Sequence, residues 1–396
     1  MGPYRQPLAR RTRCSTRPQR LPLWDDGVVT APIRLAILGA TGSIGRQALD
    51  IVRAQPDRLR LVALGANRNA DALHDLAMEF PTARTALGPD ALVALATEPD
   101  ADVILVATPG VAALRATVAA LEEGKRVALA NKEVLVAAGH LIRRLSGGAG
   151  DRLRPVDSEH NGLWQCLVGE DLSTVSRVAL TASGGAFRDV PLEALPGVTP
   201  QHALRHPTWR MGPKVTIDSA TLVNKGYEVV ETHWLYGFDY EQIDVVYHPE
   251  SVVHAMVEYV DGSVKALLAE PDMRLPIQYA LLWDRAPSPA PRFDWSADRL
   301  LHFGEIDVLR YPSFTVVLET ARSGDLCAMV GLSAADELAV ERFLHGDIAF
   351  TDIASLLRRG AELGARAKGS REPDLDEVIA IDAAVRASLG TPAVAA

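Results

Sequence analysis

The chain has 396 residues, a formal net charge of −9 and 48% hydrophobic residues. This length predicts two or three domains, and the composition is ordinary for a globular protein with sizeable cores. The acidic balance argues against general nucleic-acid binding, and no apolar run approaches the ~18 residues of a membrane span. The cysteines, Cys14, Cys166 and Cys327, lack the spacing of a disulfide framework or a zinc site, so we expect a reducing compartment, the cytoplasm.

The segment 1–31 is rich in arginine, poor in acids and without the apolar core of a secretory signal. An organelle transit peptide has this composition, and so does a disordered extension. The short length and weak amphipathic order favour the extension, so residues 1–31 are predicted to lie outside the fold.

Residues 32–156 alternate between short apolar runs and stretches with helical spacing. Ile33–Leu38 is predicted to be a buried strand, followed by a Gly-rich turn and a helix over 46–55. Further strands are predicted at 59–64, 102–107 and 126–130. This alternation predicts an α/β fold whose N-terminal domain is a doubly wound, Rossmann-like parallel sheet.

The turn after the first strand has glycines at Gly39, Gly42 and Gly45. Such glycines let the backbone approach a pyrophosphate, and the helix that follows offers unpaired N–H groups to the anion. A dinucleotide would therefore contact the tip of this loop, at Thr41, Gly42, Ser43 and Ile44. The alternative is a plain strand-to-helix turn.

The second strand ends in Gly65, Asn67 and Arg68, with no acid to bind a ribose 2′-hydroxyl. Arg68 is well placed for a 2′-phosphate, which favours NADPH over NADH. The alternative is that Arg68 is a solvated loop charge.

Asn131, Lys132 and Glu133 end a further strand at the sheet edge where ligands bind. These three residues are predicted to contact the cofactor, and Lys132 could stabilise charge near the nicotinamide. An equally strong alternative is a helix cap with a salt bridge.

The pattern changes after residue 156 and divides the rest of the chain into three parts. The part at 157–285 is predicted to be an α+β catalytic domain with a mixed or antiparallel sheet, since it contains strand-like runs at 177–181, 244–247, 253–260 and 264–270. The part at 286–312 is rich in proline and alanine near its start and is predicted to be a linker. The part at 313–396 is predicted to be a helical bundle with helices at 314–323, 334–344, 352–363 and 375–389.

Two carboxylates, Asp157 and Glu159, are spaced two residues apart. In an extended chain both would point to one face and could share a cation. Glu228 is a candidate third ligand, on a helix predicted to begin near Asp218. An all-oxygen site suits Mg²⁺ or Mn²⁺. Alternatively, Glu228 pairs with Lys225 on the surface.

A second group of residues can bind an anion. Ser183 precedes two glycines after a strand, and Ser219, Asn224 and Lys225 are placed near the predicted helix start, where the helix dipole favours a phosphate. Gly226 lies inside that helix, which suggests close approach of a ligand or another backbone.

The stretch 206–213 contains His206, Trp209 and Met211 between residues that break regular structure. We interpret it as a mobile lid that excludes water from a reaction. The alternative is an ordinary surface loop. Two other histidines, His248 and His254, are assigned by default to the core.

Several long strings resemble the 1-deoxy-D-xylulose 5-phosphate reductoisomerase family. They are GATGSIG at 39–45, NKE at 131–133, VDSEHN at 156–161, TASGGAFR at 181–188, DSATLVNKG at 218–226 and HPESVVHAMV at 248–257. The resemblance runs from about Ile33 to the C-terminus.

The resemblance implies an enzyme of non-mevalonate isoprenoid biosynthesis that uses NADPH and a divalent cation (Mg²⁺, Mn²⁺ or Co²⁺). The reaction rearranges 1-deoxy-D-xylulose 5-phosphate by retro-aldol and aldol steps. Hydride reduction of the resulting aldehyde then gives 2-C-methyl-D-erythritol 4-phosphate. The family also implies a homodimer formed through the central domain.

The resemblance also assigns roles to residues. The metal ligands would be Asp157, Glu159 and Glu228, and the main catalytic groups Lys225, His206 and Glu159. Substrate contacts would come from Ser158, Ser183, His206, Trp209, Ser219, Asn224 and Lys225. The nicotinamide would lie near Met211 and Gly212.

Three residues depart from the family pattern. Arg210 replaces a small polar residue, Glu250 replaces Gln, and Asp336 replaces Asn. Two other functions stay open: a metal-independent NADPH-dependent dehydrogenase of the semialdehyde or homoserine type, and a non-catalytic NADPH-binding module.

Overall fold

The structure, a computed structural model, describes residues 31–209, 211–367 and 370–390. Residues 1–30 of the predicted extension 1–31, which include Cys14, and Arg210 in the lid therefore lie outside the described residues.

The N-terminal part is a sheet of six parallel strands in the order β3-β2-β1-β4-β5-β6, with helices in between. Its elements are β1 Ile33–Leu38, α1 Ser43–Ala54, β2 Leu59–Ala66, α2 Ala70–Glu79, β3 Arg84–Leu87, α3 Pro89–Ala96, β4 Val103–Val106, α4 Leu114–Glu122, β5 Arg126–Leu129, α5 Lys132–Ser146 and β6 Leu153–Pro155. The doubly wound parallel sheet is confirmed. The outer strands β3 and β6 were not predicted, because β3 is largely exposed and β6 has only three residues.

The turn between β1 and α1 depends on its glycines. Gly39 has φ +94°, and a Cβ there would lie 2.6 Å from the Ala107 carbonyl oxygen. A Cβ on Gly45 would lie 2.3 Å from the oxygen of Gly39. The loop can therefore pack this tightly against β4 only with glycine at these two positions.

The central part contains a second, mixed sheet with the order β10-β9-β7-β8. Strand β7 pairs in parallel with β8 and antiparallel with β9. The elements are α6 Ser158–Leu167, β7 Val175–Ala182, α7 Pro200–Ala203, α8 Pro213–Thr221, α9 Val223–Tyr236, β8 Ile243–Tyr247, β9 Val253–Tyr259, β10 Val264–Leu268 and α10 Arg274–Leu282. The predicted mixed sheet is confirmed.

The C-terminal part is helical, as predicted. It comprises α11 Pro312–Ser323, α12 Leu326–His345, α13 Ile353–Arg366 and α14 Leu375–Gly390. Helix α12 begins eight residues before its prediction, where Asp325 accepts a hydrogen bond from the Ala328 N–H at 2.9 Å. It is buried on most sides, so its sequence lacks a polar stripe that would mark its start.

Among the described residues, no helix combines the length and apolar character required to cross a lipid bilayer. Cys166 and Cys327 are buried free thiols.

Candidate active site

Asp157 and Glu159 come together at the start of a helix, not along an extended chain as predicted. Asp157 follows β6 and caps α6, and Glu159 lies in the first turn of that helix. Strand β6 and the cap therefore place both carboxylates at the carboxyl edge of the parallel sheet, where ligands bind in such folds.

Glu228 reaches the same place from α9. This helix begins at Val223 and not near Asp218, because Leu222, with φ +60°, separates α8 from α9. Glu228 is fully buried, so a surface pair with Lys225 is excluded. One carboxylate oxygen from each of Asp157, Glu159 and Glu228 lies within 4.8 Å of the others.

Two lysines lie among these acids. The Lys225 ammonium is 2.6 Å from Glu159 Oε1 and also contacts Glu228. The Lys132 ammonium contacts Asp157 and lies 3.5 Å from Glu228 Oε1. The ammonium groups offset part of the acidic charge in a site largely shielded from water.

These neighbours shift the acids in opposite directions. Burial would raise the pKa of Glu159, but Lys225 and Lys132 lower it well below its usual value. Burial and the Glu159 carboxylate raise the pKa of Glu228. Burial would lower the pKa of Lys225, but Glu159 and Glu228 raise it above the usual value. The cluster therefore keeps anionic oxygens available beside a permanently charged ammonium.

The donor set fits a hard divalent cation. Three carboxylates from α6 and α9 supply only oxygen ligands, the type that Mg²⁺ and Mn²⁺ prefer. A neighbouring group, Asp157, His160 and Glu231, is also close enough to hold an ion, but it includes an imidazole and is less suited to Mg²⁺.

The predicted anion-binding residues line the same cleft, and we call Ser183, Ser219 and Asn224 its phosphate wall. Gly185 has φ +69°, and a Cβ there would lie 2.4 Å from the Ser219 carbonyl oxygen, so the glycine lets the end of β7 pack directly against α8. This contact brings Ser183 close to Ser219. The expected helix start at Ser219 was wrong, since Ser219 lies in the last turn of α8 while Asn224 and Lys225 lie in the first turn of α9.

The Asn224 amide donates a hydrogen bond to Glu228 Oε1 at 2.5 Å, one turn further along α9, so this helix carries both a predicted phosphate contact and a predicted metal ligand. Gly226 faces Val317 of α11, where a Cβ would approach to 2.9 Å. Its small size therefore serves helix packing and not ligand approach.

The described residues of the loop between α7 and α8, 204–209 and 211–212, contribute Trp209, Met211 and Gly212 to the lining of the cleft. His206 Nδ1 accepts hydrogen bonds from the N–H groups of Thr208 at 3.1 Å and Trp209 at 2.8 Å. The ring proton therefore resides on Nε2, which donates to Ser183 Oγ at 3.0 Å. Burial and the nearby Arg188 lower the pKa of His206 to about 4, so the ring is neutral at pH 7.

The residues predicted to bind the cofactor form two groups, one in the cleft with the acids and one at the end of β2. Ser43 and Ile44 line the same cleft, and Thr41 and Gly42 precede them in the loop. Gly65, Asn67 and Arg68 lie at the end of β2, and of these Asn67 and Arg68 are exposed. This spread matches an extended dinucleotide, with its far end at Arg68.

Asn131 and Glu133 are occupied by structural contacts, as the alternative interpretation of this motif anticipated. Asn131 caps α5 by accepting from the Val134 N–H at 2.8 Å, and its amide donates to Thr108 and Gly110 carbonyl oxygens. Glu133 pairs with Lys214 at 2.8 Å. Their contact with a cofactor stays a prediction, while Lys132 lines the cleft.

The cleft measures about 1050 Å³ including the solvent at its mouth. Residues predicted to bind the cofactor, the cation or the substrate all contribute to its lining. They are Ser43, Ile44, Lys132, Asp157, Ser158, Glu159, Ser183, Trp209, Met211, Gly212, Ser219, Asn224, Lys225 and Glu228. One cleft thus joins the nucleotide loop, the acids, the phosphate wall and the lid.

The lining residues that sequence reasoning missed include Thr181, Ser251, His254 and Met273. His254 was assigned to the core, and it is only 5% exposed, but its ring lies 6.0 Å from that of Trp209. The string HPESVVHAMV contained both Ser251 and His254 and was the available signal. The core assignment holds for His248, whose Nε2 accepts from the N–H groups of Val252 and Val253.

Comparison with protein-family models gives three matches. Residues 35–87 and 81–139 match the 1-deoxy-D-xylulose 5-phosphate reductoisomerase model. Residues 153–236 match the model of the enzyme's C-terminal domain, and residues 268–388 match a second model described as the DXP reductoisomerase C-terminal domain.

Relatives are similar over most of the chain. The 1-deoxy-D-xylulose 5-phosphate reductoisomerase of Thermomicrobium roseum is 46% identical over 366 residues, covering 88% of this chain and 94% of the relative. That of Geobacillus kaustophilus is 43% identical over 376 residues, covering 89% and 97%.

Solved structures of the same enzyme superpose closely. A crystal structure of DOX-P reductoisomerase in complex with NADPH, fosmidomycin and magnesium has a TM-score of 0.84 at 36% identity, covering 90% of this chain and 97% of that one. The Zymomonas mobilis enzyme in complex with NADPH has a TM-score of 0.81 at 38% identity, with the same coverage.

Proposed function

Because this chain belongs to the 1-deoxy-D-xylulose 5-phosphate reductoisomerase family, we propose that it converts 1-deoxy-D-xylulose 5-phosphate to 2-C-methyl-D-erythritol 4-phosphate with NADPH and a divalent cation. The observation that carries the proposal is the convergence of Asp157, Glu159 and Glu228 in a cleft that also contains the nucleotide loop. The reaction serves isoprenoid biosynthesis.

The cation would be held by Asp157, Glu159 and Glu228. When bound, a divalent cation lowers the pKa of a substrate hydroxyl and polarises the adjacent carbonyl. Ser158 Oγ donates to Glu159 Oε2 at 2.7 Å and so fixes the orientation of that carboxylate. The Lys225 ammonium, charged in this environment, can stabilise the oxyanion that develops when the carbon–carbon bond breaks.

The phosphate end would be held by Ser183, Ser219 and Asn224. Binding energy at this end positions the reacting carbons without taking part in the chemistry. Neutral His206 offers its Nε2–H toward Ser183 and closes the same wall from the lid. Trp209 and Met211 line the cleft on the lid side and would exclude water from the reduction, for which bound NADPH would supply the hydride.

The working form is a homodimer in the cytoplasm. Strand β10 is the edge of the mixed sheet and exposes Val264 and Leu268, at 57% and 39%. The segment between α10 and α11 exposes Trp295 at 84% and Leu309 at 81%. An open sheet edge and large exposed apolar side chains favour a second copy as the covering partner. The cytoplasm is supported by the buried free thiols of Cys166 and Cys327.

The test follows NADPH absorbance with 1-deoxy-D-xylulose 5-phosphate, with and without Mg²⁺ or Mn²⁺. Turnover should require both substrate and cation, and EDTA should abolish it. EDTA-insensitive reduction of a semialdehyde would favour the dehydrogenase alternative. NADPH binding without turnover of either substrate would favour the non-catalytic module.

The variant Glu228→Gln tests the cation site directly. Removing one of three anionic ligands should lower kcat by at least about a hundredfold and weaken Mn²⁺ binding measured by electron paramagnetic resonance. Glu241→Gln, an exposed acid in the same domain, is the matched control and should leave both unchanged. Full turnover by Glu228→Gln would refute the assigned site.

A further inference from the structure

A second charged cluster lies behind the cleft, centred on Lys214. The Lys214 ammonium is 2.8 Å from Glu133 Oε1, 2.7 Å from Asp218 Oδ2 and 2.8 Å from Asp336 Oδ2. The three acids are buried, at 6%, 1% and 0% exposure. The ammonium also lies 5.1 Å from the ring centre of Tyr227.

The cluster joins all three parts of the chain. Glu133 lies on α5 of the N-terminal part, Lys214 and Asp218 on α8 of the central part, and Asp336 on α12 of the helical part. One ammonium is thus the common contact of three elements that are far apart in sequence.

Two of the three elements, α5 and α8, carry a cleft residue next to a cluster residue. Glu133 follows Lys132, and Asp218 precedes Ser219. Lys214 is the second residue of α8, two residues after Gly212 at the end of the loop. Lys132, Ser219 and Gly212 all line the cleft. A shift of the ammonium therefore moves the base of the lid and the phosphate wall together.

We propose that Lys214 is a positioning residue. It fixes Gly212, at the end of the loop, and Ser219 relative to α5, so that both lie at the correct distance from the bound substrate. The assignment rests on the proposed function for its kinetic consequences. Lys214 does not touch the substrate itself, since its charge is taken up by the three acids.

Charge balance explains why a lysine is needed here. Three buried carboxylates without a cation would repel one another and the anionic substrate nearby. Even with Lys214 present, burial and mutual repulsion raise the pKa values of Asp218 and Asp336. Loss of the ammonium would drive α8 away from α5 and α12.

The experiment compares Lys214→Gln, which removes the charge, with Lys214→Arg, which keeps it. Asp336→Asn removes one anchor while Lys214 stays paired, and it decides the matter if Lys214→Gln does not fold. The matched control is Asp382→Asn, which breaks another carboxylate pair of the helical part, with Arg386 Nε at 2.7 Å, away from the cleft.

Two readouts separate positioning from mere stability. The first is a set of three constants measured separately: KM for the phosphosugar, kcat, and the dissociation constant of NADPH. The second is the rate of tryptic cleavage after the exposed Arg205 at the start of the loop, measured by mass spectrometry on the full-length chain without ligands.

Lys214→Gln should raise KM for the phosphosugar about tenfold or more, because even a small displacement of the binding groups weakens their contacts with the substrate. Cleavage after Arg205 should accelerate. NADPH binding should weaken by a smaller factor than KM changes, because Lys214 contacts Glu133 but is not part of the Gly39–Gly45 loop. Lys214→Arg should restore most of the loss, and Asp336→Asn should shift KM and cleavage in the same direction by a smaller factor.

The inference is overturned if Lys214→Gln and Asp336→Asn change only the melting temperature, or if they match Asp382→Asn in KM and cleavage. A wild-type chain that does not turn over the phosphosugar would instead overturn the proposed function. The cleavage comparison would still decide whether Lys214 holds the loop.

Discussion

At the scale of single residues, the cleft pairs every acid with a cation or a hydrogen-bond donor. Glu159 contacts Lys225 and Ser158, and Glu228 contacts Asn224 and Lys225. Isolated buried carboxylates would become protonated and lose their value as ligands. The lysines therefore keep Glu159 ionised, as the lowered pKa of that residue indicates.

The same logic predicts the protonation state of His206. Its Nδ1 accepts from two backbone N–H groups, and its pKa is lowered to about 4 by burial and Arg188. We expect a neutral ring with the proton on Nε2 between pH 5 and pH 8. The ¹⁵N chemical shifts of the two ring nitrogens measure this state, with His206→Asn to assign the signals.

A folded-state pKa below the unfolded value means that the unfolded chain binds the proton more readily. The stability that neutral His206 contributes is thus fully present above about pH 6.5, the ordinary histidine pKa, and is lost as pH falls through about 4. An imidazolium signal at pH 7, or a proton on Nδ1, would contradict the hydrogen bonds of the loop.

At the scale of elements, the site depends on how closely β7 and α8 approach each other. Gly185 has a positive φ, and a Cβ there would meet the Ser219 carbonyl oxygen at 2.4 Å. Gly185→Ala should therefore separate Ser183 from Ser219 and raise KM for the phosphosugar about tenfold, in addition to the ~1–2 kcal/mol of backbone strain. Steady-state kinetics and urea unfolding measure the two effects.

The matched control is Gly262→Ala in the β9–β10 turn. Gly262 has a similar φ of +84°, but no atom lies within 4 Å of the point that a Cβ would occupy there. The Gly262→Ala variant should lose stability through backbone strain alone, and its KM for the phosphosugar should equal that of wild type. Equal kinetics for the two alanine variants would mean that the approach of β7 to α8 does not determine phosphate binding.

The sequence predicted most strands and helices because their periodicity is strong. It placed Ile33–Leu38 correctly and anticipated the mixed second sheet. It failed where local geometry has no periodic signal: the cap at Asp157 and the break at Leu222. Both errors concern only one or two residues, but these residues determine the direction in which the side chains of Asp157, Glu159 and Glu228 point.

The site residues were easier to name than to place. Asp157, Glu159 and Glu228 were identified as a set, but an extended chain was the wrong reason for the first two. His254 and the Lys214 cluster were missed because buried polar contacts across domains leave no spacing in the sequence. Only the fold brings α5, α8 and α12 to one point.

At the scale of the whole molecule, the mixed sheet ends in an open edge. We expect the double variant Val264→Lys and Leu268→Lys to convert a dimer to a monomer, because charged side chains on an edge strand block pairing with another chain. Sedimentation velocity measures the change. Met78→Lys, a change on a 72% exposed side chain of the N-terminal part, is the control and should stay dimeric. A dimeric double variant would place the interface elsewhere.

The junction of the three parts should also make stability depend on pH. The folded chain raises the pKa values of Asp218 and Asp336 above the ordinary value of 3.8, through burial first and through the repulsion of neighbouring acids. Between the unfolded-state and folded-state pKa values, these carboxyl groups therefore bind a proton in the folded chain that they have lost in the unfolded chain. Stability from this junction is therefore greatest below about pH 4 and declines as pH rises through the folded-state pKa values.

Asp336→Asn removes one of the acids that compete for that proton and relieves the repulsion around Lys214. We expect the free energy of unfolding of the variant, relative to wild type, to increase with pH by up to about 1.4 kcal/mol per unit until wild type is fully ionised. Urea unfolding between pH 5 and pH 8 gives this difference, and Asp382→Asn supplies the same chemical change outside the junction. A gap between Asp336→Asn and wild type that stays constant with pH would mean that the three parts are held together without a shared proton.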